Sequence, residues 1–290
     1  MLSILIPTYN YNVVPLINEL HKQCLECDIE FEILVYDDGS NSQINSINNT
    51  INNIKNCTFK ELPNNIGRSS IRNLLGKNAN YGSLVFLDAD VIPSNRTFIK
   101  DYLNLINEPV SVGGVLPIKH IPKKPYKLRW IYTKKREQKT LCSSNFFIKK
   151  EIFETFPFDE SIKKYGYEDV LFFSTLQNND ITIYPFKNPV IHYVNDDADT
   201  FIKKTEDAIE NLSCLVQQGK LTKKESKVFK YYLHIERLKL VRIVTLVFNV
   251  LKKPIVLNLN SNRPSLFLYD IYRIGYLCQL KTKKKCLSSL

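Results

Sequence analysis

The sequence predicts an α/β fold with a mostly parallel central sheet flanked by helices, followed by a basic helical segment. Short apolar runs alternate with amphipathic stretches over the first 120 residues, polar clusters follow several of the apolar runs, and Lys and Arg are concentrated in the last third. A strand–helix–strand order places consecutive strands parallel, because the connecting helix returns the chain to the same edge of the sheet.

Three apolar runs predict strands, at residues 3–7, 31–36 and 83–87, and residues 58–62 form a further predicted strand. Between them, residues 13–27, 42–56 and 67–80 predict helices from apolar side chains at spacings of three and four. The second of these is rich in asparagine but carries a stripe of isoleucines, at Ile44, Ile47, Ile51 and Ile54. In sheets of this kind, ligands bind outside the carboxyl ends of the strands.

Composition is that of a globular protein: 290 residues, 44% hydrophobic and 24% charged, with a formal net charge of +11 at pH 7. Residues 1–200 carry 22 basic and 23 acidic side chains, whereas residues 201–290 carry 18 and 6. The seven cysteines have no regular spacing, so we expect free thiols in a reducing cytoplasm. We expect no signal peptide and no transmembrane helix, because the longest apolar run, at residues 243–251, is far below the ~20 residues of a span.

The triplet Asp88-Ala89-Asp90 stands at the end of the apolar run at residues 83–87. Side chains alternate between the two faces of a strand, so we expect both carboxylates to project to the same side, with Ala89 opposite. Two like charges held close together are costly unless a cation lies between them, and carboxylate oxygens suit Mg or Mn. The alternative is a solvated pair at a strand end that caps a following helix.

The other polar clusters predict a nucleotide site at the same edge. Pro7, Thr8 and Tyr9 can stack on or border a base, and Asp38 can accept a hydrogen bond from a base or ribose. Arg68 and Arg72 lie four residues apart near a predicted helix N-terminus, where phosphate is favoured; the alternative for each is a surface charge. No Gly-x-Gly-x-x-Gly or Walker A sequence is present, which argues against a dinucleotide Rossmann domain or a P-loop.

Four ordered motifs, at residues 3–10, 35–40, 65–73 and 87–90, together resemble the family 2 inverting glycosyltransferases of the GT-A fold, over about residues 1–200. The resemblance implies a nucleotide-diphosphate-sugar donor, by default a UDP-sugar, and a divalent cation, Mn or Mg. It implies that Asp38 holds the base, that Asp88 reaches the ribose and that Asp90 binds the metal-bridged diphosphate. The remaining donor-binding residues would be Pro7, Thr8, Tyr9, Asn10, Arg68 and Arg72.

Residues 113–115, 142–148, 158–160 and 166–170 resemble the acceptor half of that family. The resemblance implies that Asp169 is the general base and that Glu168 orients the acceptor; the alternative is a helix N-terminus whose acidic residues suit the dipole. It also implies that His192, on a short apolar strand, binds the metal or diphosphate. The alternative for His192 is a buried core residue.

The predicted domains are a GT-A catalytic domain over residues 1–200 and a helical basic extension over residues 201–290. The first divides into a nucleotide-sugar half, residues 1–110, and an acceptor half, residues 111–200. In the extension, residues 220–253 mix Lys and Arg with apolar side chains, and Lys281, Lys283, Lys284 and Lys285 continue the basic character. Such faces lie on anionic membranes; the alternative is a solvated basic face. No nucleic-acid-binding motif accompanies the charge, so nucleic acid is not a predicted partner.

Together these features predict a metal-dependent inverting glycosyltransferase that extends a bacterial surface glycan, such as a capsule or lipopolysaccharide, on a saccharide or lipid-linked acceptor. Its expected location is the cytoplasm, peripheral on the inner face of the cell membrane. A nucleotidyltransferase for activated sugars is one alternative, but it needs a Gly-rich basic signature after the first strand that this sequence lacks. The other is a carbohydrate-binding scaffold without activity, against which Asp90, Asp169 and Arg68 argue.

Overall fold

The structure is a computed structural model that describes residues 1–193, 196–222 and 226–287, without the side chains of residues 139 and 284–287. Lys284 and Lys285 of the predicted basic face therefore have side chains outside the described part. The chain divides into two compact units. The first comprises residues 1–118, 133–163 and 168–193, and the second comprises residues 119–132, 164–167 and 194–290. In this division, three segments of the predicted acceptor half belong to the second unit.

The first unit is built on two sheets. Their strands are β1 (Leu2–Thr8), β2 (Phe31–Asp37), β3 (Cys57–Glu61), β4 (Ser83–Leu87), β5 (Val91–Pro93), β6 (Val110–Val112), β7 (Val115–Pro117), β8 (Asn145–Lys149), β9 (Ile183–Pro185) and β10 (Val190–His192). The larger sheet has the order β3-β2-β1-β4-β8-β6-β9, and the smaller has the order β5-β10-β7.

Most neighbours in the larger sheet run parallel. β1 pairs parallel with β2 and β4, β2 with β3, and β6 with β9. β8 is antiparallel to both β4 and β6. The prediction of a mostly parallel central sheet flanked by helices is confirmed.

The helices of the chain are α1 (Val14–Glu26), α2 (Asn45–Asn48), α3 (Arg68–Asn78), α4 (Phe98–Leu103), α5 (Lys127–Lys135), α6 (Lys150–Thr155), α7 (Glu168–Asn178), α8 (Ala198–Gln217), α9 (Lys227–Arg237), α10 (Val241–Leu259) and α11 (Leu266–Leu287). The predicted helix over residues 42–56 is wrong in extent, because only α2 and a 3₁₀ helix at Asn49–Asn53 form. Asparagine side chains there bond to other backbone segments: the Asn48 amide oxygen accepts from the Val13 N–H, and that of Asn52 accepts from the Phe59 N–H. Such bonds compete with helix formation.

Both faces of strands β1, β2 and β4 of the larger sheet are buried. On one face, Ile4, Ile33 and Val85 lie in a core cluster that includes apolar residues of α1. On the other face, Leu5 and Phe86 lie in a cluster with apolar residues of α3. This two-sided burial explains why the strands read as continuous apolar runs rather than as alternating ones.

A buried network of hydrogen bonds lies where β8 meets the connection between β6 and β7. The Tyr102 hydroxyl donates to the Asn145 amide oxygen at 2.6 Å. The Asn145 amide nitrogen donates to the carbonyls of Gly114 at 3.0 Å and Asn188 at 2.8 Å. Because Asn145 is fully buried and satisfied on both sides of its amide, it fixes the position of three chain segments.

Replacing Gly113 with Ala should destabilise the first unit by about 1–3 kcal/mol through overpacking. A Cβ at this position would lie 2.5 Å from both the Asn145 amide nitrogen and the Asn188 carbonyl oxygen. The measurement is the denaturant midpoint of unfolding. Gly82→Ala is the matched control, because a Cβ there meets nothing within 4 Å. Equal midpoints for the two variants would contradict the prediction.

The second unit is helical. Phe201 of α8, Phe248 and Ile255 of α10, and Tyr269 and Tyr272 of α11 form its core. α8 is tied to the two last helices by Glu206, whose carboxylate accepts from Lys252 Nζ at 3.0 Å and from the Tyr272 hydroxyl at 2.6 Å. Within the described part of the chain, every helix is too short or too polar to cross a membrane.

Candidate active site

The motif Asp88-Ala89-Asp90 forms a turn at the carboxyl end of β4. β4 ends at Leu87 and β5 begins at Val91, so the prediction that the strand continues through both carboxylates is wrong. The Asp88 N–H donates to the Ser144 carbonyl at 3.1 Å, and the Tyr193 N–H donates to the Asp90 carbonyl at 3.0 Å. The turn is thereby fixed at both ends, and its two carboxylates have different partners.

The Asp88 carboxylate is paired with Arg72. Arg72 Nη2 donates to Asp88 Oδ1 at 2.7 Å, and the Arg72 side chain is only 3% exposed. The guanidinium lies 5.5 Å from the centroid of the Phe158 ring. The surface-charge alternative for Arg72 is therefore wrong. The two side chains predicted to contact donor phosphate and ribose are bonded to each other.

The Asp90 carboxylate lies against His192. Asp90 Oδ2 and His192 Nε2 are 3.1 Å apart; the His192 side chain is nearly buried and the Asp90 side chain is partly exposed. The contact follows from strand pairing, because β10 is antiparallel to β5 with His192 opposite Val91. Residues 90 and 192, distant in the sequence, are brought together in this way. In the described residues no group of three or more His, Cys, Asp or Glu side chains is gathered as a metal site would be.

Asp37 organises the loops after β1 and β2, a function that sequence reasoning missed. Its buried carboxylate accepts from the Ser40 N–H at 2.7 Å, from the Ser40 hydroxyl at 2.8 Å and from the Asn10 N–H at 3.4 Å. Asn10 has a positive φ of 52°, so the chain turns sharply there. The Asp-Gly dipeptide at residues 38–39, directly after Asp37, is the sequence signal of a turn here.

Asp38 fixes the loop that precedes α3. Its carboxylate accepts from the N–H groups of Ile66 at 2.7 Å and Gly67 at 3.0 Å. Gly39 has a φ of +65°, and a Cβ there would lie 2.3 Å from the Asn64 carbonyl carbon. Only glycine allows this approach, so the loops after β2 and before α3 form one rigid edge. Asp38, predicted to hold a base, is nearly buried in this contact.

The loop after β1 lies beside this edge and exposes an aromatic ring. The carbonyl of the buried Thr8 accepts from the Asp38 N–H at 2.9 Å. Pro7 is half-buried, whereas Tyr9 is 58% exposed. A flat, solvent-facing ring on a fixed backbone is suited to stacking on a planar ligand.

Glu168 and Asp169 occupy the first turn of α7. Arg68 Nη1 lies 3.3 Å from Glu168 Oε1; the Arg68 side chain is 52% exposed and that of Glu168 is buried. Burial, followed by the adjacent charge of Glu168, raises the pKa of Asp169 to about 7. The charges of Arg72, which lowers this pKa, and Asp88, which raises it, also act on Asp169. The Asp169 carboxylate accepts from the N–H of Val170 at 2.8 Å, within the same helix turn.

Comparison with known proteins identifies the family. The family model described as Glycosyl transferase family 2 matches residues 3–159, more than half of the chain. The chain belongs to glycosyl transferase family 2. The four motifs on which the resemblance rests lie inside the matched region, and the predicted family is confirmed. Comparison with curated proteins gave no match.

Solved structures show the same fold as this family 2 chain. One is the mannosyltransferase PcManGT from Pyrobaculum calidifontis in complex with GDP-Man and Mn²⁺, with a TM-score of 0.57 at 17% identity. The match covers 97% of this chain and 86% of the PcManGT chain. S. aureus TarS 1–349 in complex with UDP-GlcNAc has a TM-score of 0.53 at 19% identity, and the match covers 98% of this chain and 92% of the TarS chain. The match to a longer S. aureus TarS chain covers only 38% of the length of that chain. The predicted GT-A fold is confirmed.

Proposed function

We propose that this family 2 chain transfers a sugar from a nucleotide-diphosphate donor, by default a UDP-sugar, to an acceptor hydroxyl with inversion and with a divalent cation. The observation that carries the proposal is the environment of Asp169. Burial and the charge of Glu168 raise the pKa of its carboxyl group to about 7, and the charges of Arg72 and Asp88, which are bonded to each other, also act on it. A carboxylate with a pKa near neutrality is suited to take a proton from an acceptor hydroxyl.

Asp90 and His192 would hold the cation. Two neighbouring ligands of an octahedral Mg²⁺ at about 2.1 Å lie about 3 Å apart, and Asp90 Oδ2 and His192 Nε2 are 3.1 Å apart. The two side chains are therefore close enough to bind one Mn or Mg ion together. When bound, the cation neutralises charge that develops on the diphosphate leaving group.

The loops after β1 and β2 would hold the nucleotide. The exposed Tyr9 ring, with Pro7, Thr8 and Asn10 around it, offers a stacking surface for a base. Asp38 uses both carboxylate oxygens on backbone N–H groups, and each oxygen retains a further lone pair for a base N–H. Arg68, half exposed at the start of α3, would reach the nucleotide. Arg72 and Asp88, bonded to each other, would contact its phosphate and its ribose.

Asp169 would take the proton of the acceptor hydroxyl as that oxygen attacks the anomeric carbon, on the face opposite the departing nucleotide. A base works best when its pKa lies near the operating pH, and burial brings the pKa of Asp169 to that range. Glu168, held by Arg68, would orient the acceptor. We propose that this acceptor is a saccharide or lipid-linked glycan of a bacterial surface polysaccharide.

The test is a panel of nucleotide sugars offered to the purified chain with Mn²⁺ or Mg²⁺ and saccharide acceptors, scored by released nucleotide. We expect release with one or a few donors, and its loss when the metal is chelated. The anomeric coupling constant of the product, measured by NMR, should show the configuration opposite to that of the donor. Retention would contradict the single-displacement role of Asp169, and full activity in chelator would contradict the metal.

A further inference from the structure

α10 exposes a long apolar face. Phe248, Ile255 and Leu259 on its inner side are buried in the core of the second unit. Its outer side carries large apolar residues that are 50–76% exposed and recur at helical spacing: Ile243, Leu246, Val247, Val250 and Leu257. Soluble surfaces carry such residues singly, so a continuous stripe of them indicates a binding surface.

The stripe is bordered by positive charge. Residues 237–259 contain five basic residues and no acidic one. Four of the five are exposed, at Arg237, Lys239, Arg242 and Lys253, whereas Lys252 is bonded to Glu206. Leu238 and Leu240, in the connection from α9, extend the apolar surface among these cations.

We propose that the outer face of α10 docks on an anionic lipid bilayer, with the helix lying along the membrane surface. The apolar stripe would enter the interface between headgroups and acyl chains, and the bordering cations would contact lipid phosphates. A helix of 19 residues with polar and basic positions on its flanks suits this orientation.

A second copy of the chain is a poorer occupant for this face. A two-fold contact would set each cationic border against the same border of the other copy, and no acidic residue within 237–259 could neutralise it. The charge therefore complements an anionic surface rather than itself.

A neighbouring loop of the second unit carries the same chemistry. Residues 119–126 expose Ile121 and Tyr126 together with Lys119, Lys123 and Lys124. The Lys124 N–H donates to the Asn262 amide oxygen, which joins this loop to the turn between α10 and α11. Exposed aromatic and basic side chains thus stand at the carboxyl end of α10, as expected of an interfacial surface.

The test is co-sedimentation of the full chain with vesicles of phosphatidylcholine alone or mixed with phosphatidylglycerol, without any donor present. We expect at least ~10-fold more binding to the anionic vesicles, weakened by salt because screened charges contribute less. The double variant Leu246→Gln/Val250→Gln should lose ~10-fold or more of this binding. Its control is Leu25→Gln on α1, where Leu25 is 59% exposed outside the stripe, and this control should bind as the wild type does.

A second arm tests the charge. Lys239→Gln/Arg242→Gln should weaken binding most at low salt, whereas Lys55→Gln, an exposed lysine of the first unit, should not. Equal binding to neutral and anionic vesicles, or wild-type binding by Leu246→Gln/Val250→Gln, would overturn the proposal. If the chain does not bind vesicles, and light scattering shows a dimer that dissociates in Val250→Gln, the face would be assigned to a second copy of the chain. None of these readouts depends on sugar transfer.

Discussion

Asp169→Asn should lower the turnover of sugar transfer by at least ~100-fold, the low end of what general-base catalysis supplies, while donor affinity stays nearly unchanged. Asparagine keeps the size of the side chain and its place at the start of α7, but it cannot accept the hydroxyl proton. The measurement is turnover under saturating donor and acceptor, together with the donor dissociation constant from calorimetry.

The pH profile gives this prediction an independent readout. The pKa of Asp169 is raised to about 7, so the carboxyl is protonated below that pH and cannot act as a base. The turnover of the wild type should therefore fall about tenfold per pH unit on the acidic side and level off above the pKa. In Asp169→Asn this acidic limb should disappear from the residual rate.

Glu168→Gln is the matched control for Asp169→Asn. Glu168 is bonded to Arg68. Removing the negative charge of Glu168 should raise the acceptor KM more than it lowers turnover. A larger loss of turnover in Glu168→Gln than in Asp169→Asn would exchange the two roles. Loss of donor binding in Asp169→Asn would place this residue in the donor pocket.

Asp90→Ala should abolish metal-dependent transfer and remove the effect of Mn²⁺ on donor binding, while the fold persists. The Asp90 side chain is 34% exposed and lies against His192 rather than in the apolar core, so its removal leaves no buried cavity. Donor binding measured with and without Mn²⁺ should differ for the wild type and coincide for the variant.

Asp101→Ala, on α4, is a control for the loss of a half-buried carboxylate in the same unit, and it should keep activity and metal dependence. His192→Ala should weaken metal dependence, because it removes the proposed partner ligand. Normal turnover of Asp90→Ala with unchanged response to Mn²⁺ would exclude this carboxylate as a metal ligand.

The sequence was sufficient to predict strands β1, β2 and β4, because they are buried on both faces and therefore appear as apolar runs. The positions of Thr8, Asp38 and Asp90 at one edge followed from the same pattern, since parallel strands end on the same side. The pattern around Asp90 was less informative, because a turn and a strand end carry the same residue types there.

The partners of individual charges were not predictable in the same way. Arg72 and Asp88 are 16 residues apart on a helix and a turn, and their bond depends on how α3 packs against the sheet. Likewise, the contact of Asp90 with His192 needs the pairing of β5 with β10, two strands of three residues each. Strands this short carry too few side chains to reveal their register.

The antiparallel placement of β8 between β4 and β6 has a consequence for how the catalytic region can be divided. Every residue of β4 is buried, and one whole edge of this strand is covered by β8 from the predicted acceptor half. Cutting the chain near residue 110 would leave that edge as an open, apolar template for unwanted pairing with other chains. The nucleotide half is therefore not a transplantable module. Chimeras with relatives should exchange surface loops and take both β4 and β8 from the same parent protein.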